Sequence, residues 1–76
     1  MSEMDKLEEG LKAKGMTYTR RPLFDGEQIV CEQWDAICHG FSYGYESGLL
    51  EVAGIWSLCG GGVRGWLTAE EILAVL

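Results

Sequence analysis

Hydrophobic residues recur at helical spacing at the start of the chain. Met4, Leu7 and Leu11 lie three and four positions apart, with acidic residues and lysines between them. This spacing predicts an amphipathic helix from Glu3 to Lys14. Ser2 precedes the helix and is expected to act as its N-cap.

Three short segments after this helix predict an antiparallel meander. They are Met16–Arg21, Gln28–Cys31 and Trp34–Cys38. Pro22 ends the first strand or marks it as an edge strand. Asp25-Gly26 supplies the first turn, and a tight turn at Glu32-Gln33 connects the second and third strands.

The turn at Glu32-Gln33 also predicts the register of the last two strands. If Cys31 faces Trp34 across it, then Ile29 faces Ala36. One face of the sheet then collects the core residues Ile29, Cys31, Trp34, Ala36 and Cys38. The opposite face is mixed and carries Val30, Asp35, Ile37 and His39.

Apolar residues return to helical spacing after a glycine corner from His39 to Gly44. They are Tyr45, Leu49, Val52, Ala53 and Trp56. We therefore predict a longer second helix that lies on the sheet and ends at Gly60–Gly62. In an alternative interpretation, Ile55–Cys59 and Val63–Leu67 are a fourth and fifth strand joined by those glycines.

The last element has the clearest local signal. Thr68 and Glu71 form a capping box, and Leu67 and Ile72 flank it as a hydrophobic staple. A short terminal helix is therefore predicted. The elements together predict one α+β domain over residues 1–76: an N-terminal helix, a three-stranded antiparallel β-meander, then one longer and one short C-terminal helix packed on one sheet face.

Charge and hydropathy limit the classes of partner. Twelve acidic and six basic side chains give a net charge of −6 at pH 7, which repels nucleic-acid phosphates and anionic lipid. No apolar run approaches the roughly 20 residues of a membrane span, and the first residues lack the order of a signal peptide. We therefore expect a cytoplasmic protein whose partner is a protein with a basic surface, with no direct nucleic-acid binding and no membrane association.

Few residues have the type and spacing that catalysis or metal binding needs. The cysteines Cys31, Cys38 and Cys59 could join His39 as zinc ligands, but no pair has the short spacing of a zinc knuckle. Asp35 and His39 share one strand face but are separated by about 13 Å, beyond hydrogen-bond range. We predict a non-enzymatic protein with thiol cysteines, no metal and no cofactor.

The glycine corner suggests an alternative function. The amides of Gly40 and Gly44 could hold a small anionic molecule, and Phe41, Tyr43 and Tyr45 could stack on its rings. This alternative is a small-molecule or nucleotide-binding sponge. A third hypothesis is a self-associating structural subunit or homodimer, because three Trp, three Tyr and two Phe are many for 76 residues.

Two runs of the chain resemble small uncharacterised proteins encoded by phages and prophages of Gram-positive bacteria. They are WDAICHGFSYGYESGLLEVAG, from Trp34 to Gly54, and GWLTAEEIL, from Gly65 to Leu73. The segment Ile55–Val63 departs from those relatives, which carry a longer acidic loop there. No assigned activity comes with the resemblance, so it implies no catalytic residue. It implies a setting in the host cell cytoplasm, where short acidic phage proteins often bind a host defence or regulatory protein.

We therefore predict a small acidic interaction protein, an inhibitor of the anti-CRISPR or other anti-defence type that binds a basic site on a host protein. The acids of the first helix have an ordinary alternative role as a solvated face. The predicted contact residues are Glu3, Asp5, Glu8, Glu9, Asp35, His39, Phe41, Tyr43, Tyr45 and Glu46.

Overall fold

The computed structural model describes residues 1–76, which form three helices and five strands. In chain order these are α1 (Glu3–Ala13), β1 (Thr19–Leu23), β2 (Gly26–Val30), β3 (Asp35–Cys38), a 3-10 turn (Tyr45–Ser47), β4 (Leu50–Ala53), α2 (Trp56–Cys59), β5 (Val63–Leu67) and α3 (Ala69–Leu73). The longest helix has 11 residues, and none combines the length and apolar content that crossing a bilayer requires.

The first helix forms as its spacing predicts. Met4, Leu7 and Leu11 are its buried residues. The Ser2 hydroxyl accepts a hydrogen bond from the Asp5 amide at 3.0 Å, and the Asp5 carboxylate accepts one from the Ser2 amide at 3.3 Å. Ser2 is therefore the N-cap, and it belongs to a capping box.

The five strands form one antiparallel sheet in the order β1-β2-β3-β4-β5. β1 begins at Thr19 instead of Met16 and continues past Pro22 to Leu23, so Pro22 does not end the strand and marks it as an edge strand, the other predicted possibility. Ile29 lies opposite Ala36, and the Cys31 amide donates to the Trp34 carbonyl at 2.9 Å. The predicted register of β2 and β3 is confirmed.

The prediction of a three-stranded sheet followed by a longer helix is wrong, because a fourth strand lies within that segment. Gly44, Gly48 and Gly54 have φ values of 102°, 69° and 96°, and this left-handed conformation interrupts a right-handed helix. Leu50 and Val52 are buried and alternate with half-buried neighbours, as in a strand. The helical spacing of the apolar residues is coincidental.

The alternative interpretation of this region is half right. Val63–Leu67 is a strand, β5, and it pairs antiparallel with β4. Ile55–Cys59 is not a strand, because Trp56–Cys59 forms the four-residue helix α2. The glycines at 60–62 connect this helix to β5.

The helix α3 begins at the predicted capping box. The Glu71 amide donates to the Thr68 hydroxyl at 3.1 Å, and the Thr68 amide donates to the Glu71 carboxylate at 2.9 Å. Leu67 and Ile72 are both buried, as the staple requires. The sequence prediction of this helix is confirmed.

All three helices pack toward one face of the sheet and enclose the core with it. The core consists of Met4, Leu7, Leu11, Ile29, Trp34, Ala36, Leu50, Val52, Ile55, Leu67, Ala69 and Ile72. Gly10 allows α1 and α3 to approach closely, because a Cβ at this position would collide with Leu73. The Glu3 carboxylate joins the same two helices by accepting from the Ala69 amide at 2.7 Å.

The opposite face of the sheet, which we call the open face, carries no helix. Arg21, Gln28, Ile37 and Glu51 lie opposite one another across four strands on this face. The Gln28 side chain accepts from Arg21 at 2.8 Å and donates to Asp35 at 2.9 Å. The open face is therefore mixed, as predicted from the alternation of residues.

Candidate functional site

Most of the aromatic residues lie at one end of the sheet. The β1–β2 turn, the β3–β4 connection and the end of β5 form this end. We call it the aromatic end, and its exposed aromatic residues are Phe24, Phe41, Tyr43, Tyr45 and Trp66. Exposed apolar side chains gathered in one place are typical of a contact surface.

Phe24 and Trp66 occupy unfavourable backbone conformations. They are the only non-glycine residues with positive φ, at 54° and 55°, and their side chains are 74% and 58% exposed. A bulky residue in this conformation costs about 1–2 kcal/mol, which glycine would avoid. The chain therefore presents two exposed rings at a cost to its own stability.

A bulge in β5 sets the direction of Trp66. Gly65 and Trp66 both lie opposite Glu51 of β4, so β5 has one extra residue at this point. The Trp66 amide donates to the Tyr43 carbonyl at 3.2 Å, and the two rings stack with centroids 5.5 Å apart and planes inclined by 21°. A Cβ at Gly65 would collide with Tyr43. The glycine therefore permits the stacked pair.

Glu51 links this ring pair to the sheet. Its Oε1 accepts from the Tyr43 amide at 2.8 Å, and its Oε2 accepts no hydrogen bond from the protein. The carboxylate therefore holds Tyr43 in place and keeps one oxygen free. Aromatic faces beside a carboxylate attract cations.

His39 is buried beneath two phenylalanines. Its Nδ1 accepts from the Phe41 amide at 3.1 Å, and the Ser42 hydroxyl accepts from its amide and donates to its carbonyl, each at 2.9 Å. The rings of Phe24 and Phe41 meet the imidazole edge-on, at 5.0 and 6.1 Å between centroids. His39 therefore orients the phenylalanines and is itself only 5% exposed.

Two amides of the glycine corner already have acceptors within the protein. The Gly40 amide donates to the Asp25 carboxylate at 2.7 Å, and the Tyr43 amide donates to Glu51. Two carboxylates thus lie beside donors that an anionic ligand would need. This geometry disfavours an anion held by the Gly40 amide, one of the two donors expected for the anion-binding sponge.

The aromatic end contains acidic residues and no lysine or arginine. Residues 22–63 include no lysine and no arginine, and the acidic residues of this segment that lie at the aromatic end without an internal ion pair are Asp25, Glu46 and Glu51. Tyr45 and Glu46 lie next to each other in the exposed 3-10 turn. This end of the protein therefore attracts cationic groups and repels phosphate.

Two of the helix acids surround Arg20 instead of facing solvent freely. The guanidinium contacts Asp5 and Glu8, each at 2.9 Å, and Glu27 at 2.7 Å. Arg20 holds the pKa of Asp5 below its ordinary value. The hydroxyl of Tyr18, which donates to Glu8 at 2.8 Å, is the main cause of the lowered pKa of that carboxyl, and Arg20 adds to it.

The remaining predicted contact residues are dispersed. The Glu3 carboxylate is bound to the Ala69 amide, Glu9 is exposed on α1, and Asp35 lies on the open face bonded to Gln28. Only Phe41, Tyr43, Tyr45 and Glu46 share the aromatic end, with His39 beneath them.

The cysteines form no reactive or metal-binding group. Burial raises the pKa of the Cys31 and Cys38 thiols, and the Cys59 thiol donates to the Ile55 carbonyl at 3.0 Å. No three His, Cys, Asp or Glu side chains are arranged to hold a metal ion. No buried side-chain nitrogen or oxygen lacks a hydrogen-bond partner.

A cleft of about 830 Å³ lies at the other end of the sheet. Its nine lining residues include Met16, Tyr18, Cys31, Glu32 and Trp34. The Tyr18 hydroxyl is already bonded to Glu8. Glu32 is its only charged residue, so the cleft lacks the convergent polar groups of a specific ligand site.

Phe24, Glu51 and Trp66 are not among the contact residues predicted from the sequence. Phe24 had a weak signal, because it directly precedes the Asp25-Gly26 turn. No feature of the sequence indicated the orientation of Trp66, because the bulge that determines it forms only when β5 pairs with β4.

These features define a small α+β domain with its helices on one sheet face. At one end of the sheet it carries a cluster of exposed aromatic residues with acidic neighbours. No family model, no curated protein and no solved structure matches the chain.

Proposed function

We propose that this protein is a non-enzymatic interaction protein that binds a basic surface of another protein through its aromatic end. The observation that carries the proposal is the positive φ of Phe24 and Trp66. Backbone strain lowers stability, and the two rings that it positions remain 74% and 58% exposed despite their aromatic neighbours, so its retention is best explained by binding. Aromatic residues are also the side chains most often found at the energetic centre of protein interfaces.

Charge supports a basic partner. Asp25, Glu46 and Glu51 accompany the aromatic residues, and the surrounding segment of residues 22–63 has no lysine or arginine. Such a surface gains electrostatic attraction to lysine and arginine side chains. In this proposal the contact surface is the aromatic end, because Glu3, Asp5 and Glu8 of α1 are engaged within the protein.

The resemblance to phage proteins supplies the biological setting of the proposal. In that setting the partner is a host protein with a basic functional site, and the bound protein inhibits it by covering that site. An anti-defence inhibitor of this type needs no catalytic residue, metal or cofactor.

A comparison of variants at the two ends of the sheet tests the proposal. The immobilised protein captures partners from host lysate, and so do the variants Phe24→Gly and Trp66→Gly. Trp56→Ala is the matched control, because it removes an indole that is 79% exposed at the opposite end. We expect one retained protein to be lost with both aromatic-end variants, kept with Trp56→Ala and released by about 0.5 M salt.

Retention that is equal for all four proteins, or is indifferent to salt, would contradict the proposal. The retained protein is then purified, and its binding to the same variants is measured by calorimetry. Loss of affinity only in Trp56→Ala would place the contact at the opposite end and would also overturn the proposal.

Self-association is a second candidate, which the open face favours. Val63 and Trp66 are 51% and 58% exposed, and no helix covers this face. A dimeric mass by light scattering that becomes monomeric on Val63→Lys substitution would support it. A monomeric mass at about 1 mM would exclude it.

A further inference from the structure

We propose that Tyr43, Trp66 and Glu51 form a binding site for the guanidinium group of an arginine on the partner protein. The inference rests on the proposed function, because it names the side chain that the aromatic end receives. It places one specific contact on the open-face side of that end.

The two rings provide a preformed flat surface. Tyr43 covers only one side of the indole, and the two side chains are 55% and 58% exposed. The backbones of Tyr43 and Trp66 are hydrogen-bonded to each other. Their side chains therefore lose little rotational freedom when a planar group stacks on the uncovered face of the indole.

The carboxylate provides the charge that a cation needs. Oε1 of Glu51 is bound to the Tyr43 amide, while Oε2 is free to accept from an incoming N–H. Because Glu51 is half-buried, this charge is less screened than the charge of an acid on an exposed turn. The binding contribution is therefore expected to depend on this carboxylate.

No arginine of the protein occupies the site. Arg64 is the nearest along β5, and its guanidinium reaches toward the Leu58 carbonyl at 3.5 Å, in α2 at the opposite end of the sheet. Arg21 lies on β1, three strands away from β4, and donates to Gln28. The site is therefore open to an arginine from another molecule.

The flat ring pair favours guanidinium over ammonium. A guanidinium is planar, is weakly hydrated and stacks on aromatic rings while its N–H groups donate sideways to a carboxylate. A lysine ammonium is a strongly hydrated point charge and gains less from such a surface. The partner is accordingly expected to present arginine, not lysine, at this position.

Titration with short peptides tests the site. The ¹⁵N-labelled protein is titrated with hexa-arginine, hexa-lysine and hexa-glutamate, and the three indole N–H signals are followed by NMR. We expect hexa-arginine to shift the Trp66 signal and to bind several-fold more tightly than hexa-lysine, while hexa-glutamate shifts nothing. Trp66→Phe identifies the Trp66 signal.

A matched pair of variants tests the role of the Glu51 charge. Glu51→Gln keeps an acceptor for the Tyr43 amide and removes the charge, so we expect about tenfold weaker hexa-arginine binding. Glu32→Gln, the matched control at the opposite end, should leave the affinity unchanged within about twofold.

The outcomes distinguish the guanidinium site from the proposed function. Equal affinity for hexa-arginine and hexa-lysine, a shift of the Trp34 or Trp56 signal without a shift of the Trp66 signal, or no peptide binding would each overturn the guanidinium site. The proposed function would stand in those cases if capture of the partner is still lost in Trp66→Gly. If every aromatic-end variant still captures the partner, the proposed function is overturned, whatever the result of the peptide titrations.

Discussion

Phe24 and Trp66 show how much a single backbone angle determines. Phe24 is the first residue of the two-residue loop between β1 and β2, and its φ is 54°. Glycine is preferred at such a loop position because it has no Cβ to cause a clash. Residue type alone could not reveal this conflict, since the sequence shows a phenylalanine near a turn but not the sign of φ.

Substitution of Phe24 tests the strain directly. We expect Phe24→Gly to be more stable than Phe24→Ala by about 1 kcal/mol, because both lose the ring but only alanine keeps the unfavourable φ. The free energy of unfolding is measured in urea for both variants. At an unstrained exposed position the glycine variant is no more stable than the alanine variant. Equal free energies of unfolding for Phe24→Gly and Phe24→Ala would therefore contradict the assignment of strain.

The two sheet-face cysteines should react slowly. Burial raises the pKa of Cys31 and Cys38, so less thiolate is present at pH 7 than in a free thiol, and the thiolate is the reactive form. We expect alkylation by iodoacetamide at least about tenfold slower than that of glutathione. The rate should rise with pH beyond the ordinary thiol pKa of about 8.5, and mass spectrometry measures both.

At the scale of elements, local signals succeeded where a cap or a tight turn determined the structure. α1 and α3 each begin at a capping box, and the tight turn at Glu32-Gln33 correctly predicted the pairing of β2 with β3. The prediction for the segment from Tyr45 to Cys59 was wrong, because two glycines with positive φ, Gly48 and Gly54, divide it and only pairing with β3 makes Leu50–Ala53 a strand. Tertiary contacts, not spacing, decide that segment.

The bulge in β5 yields an element-scale prediction. Gly65→Ala would place a Cβ against Tyr43, so the β3–β4 connection must move away from β5. We expect a loss of about 1–3 kcal/mol in stability together with loss of the Trp66 response to hexa-arginine. Gly61→Ala is the control, because the nearest atom to its new Cβ is 3.7 Å away. Equal effects of the two substitutions would contradict the described packing at Gly65.

At the scale of the whole molecule, the acidic sequence correctly indicated a negatively charged protein but not where the charges are neutralised. Arg20 binds acids from α1 and β2 at once, and Glu27 is the main cause of its raised pKa. No sequence spacing predicts this cluster, because Asp5, Arg20 and Glu27 come together only through folding. Three of the twelve acidic side chains thus share one counter-ion within the fold.

Acid should destabilise the protein through these contacts. The Ala69 amide lowers the pKa of Glu3, and the Thr68 amide lowers that of Glu71, while Asp5 and Glu8 are lowered as described above. A carboxyl with a lower pKa in the folded state binds fewer protons there than when unfolded. Its stabilisation is complete above the ordinary pKa of about 4 and is lost as the pH falls through the folded-state pKa.

Arg20→Gln isolates the part of this effect that belongs to the cluster. At pH 7 we expect its Tm to be lower by on the order of 5 °C, because three carboxylates lose their counter-ion. The difference should shrink as the pH falls through the lowered folded-state pKa values of Asp5 and Glu8, because protonation removes their attraction to Arg20. Arg21→Gln on the open face is the control, and Tm is followed by circular dichroism. A difference that is independent of pH would contradict this account.

The bond between Glu3 and the Ala69 amide spans 66 positions of the chain. Ala69 is therefore synthesised well after Glu3 during translation. In the folded domain α1 packs against α3 more extensively than against any strand. A nascent chain that has emerged only as far as β4 exposes the apolar side of α1 with no lasting cover. The chain must therefore leave the ribosome through α3 before α1 is secured, so folding of this domain is expected to follow the synthesis of residues 1–76 instead of accompanying it.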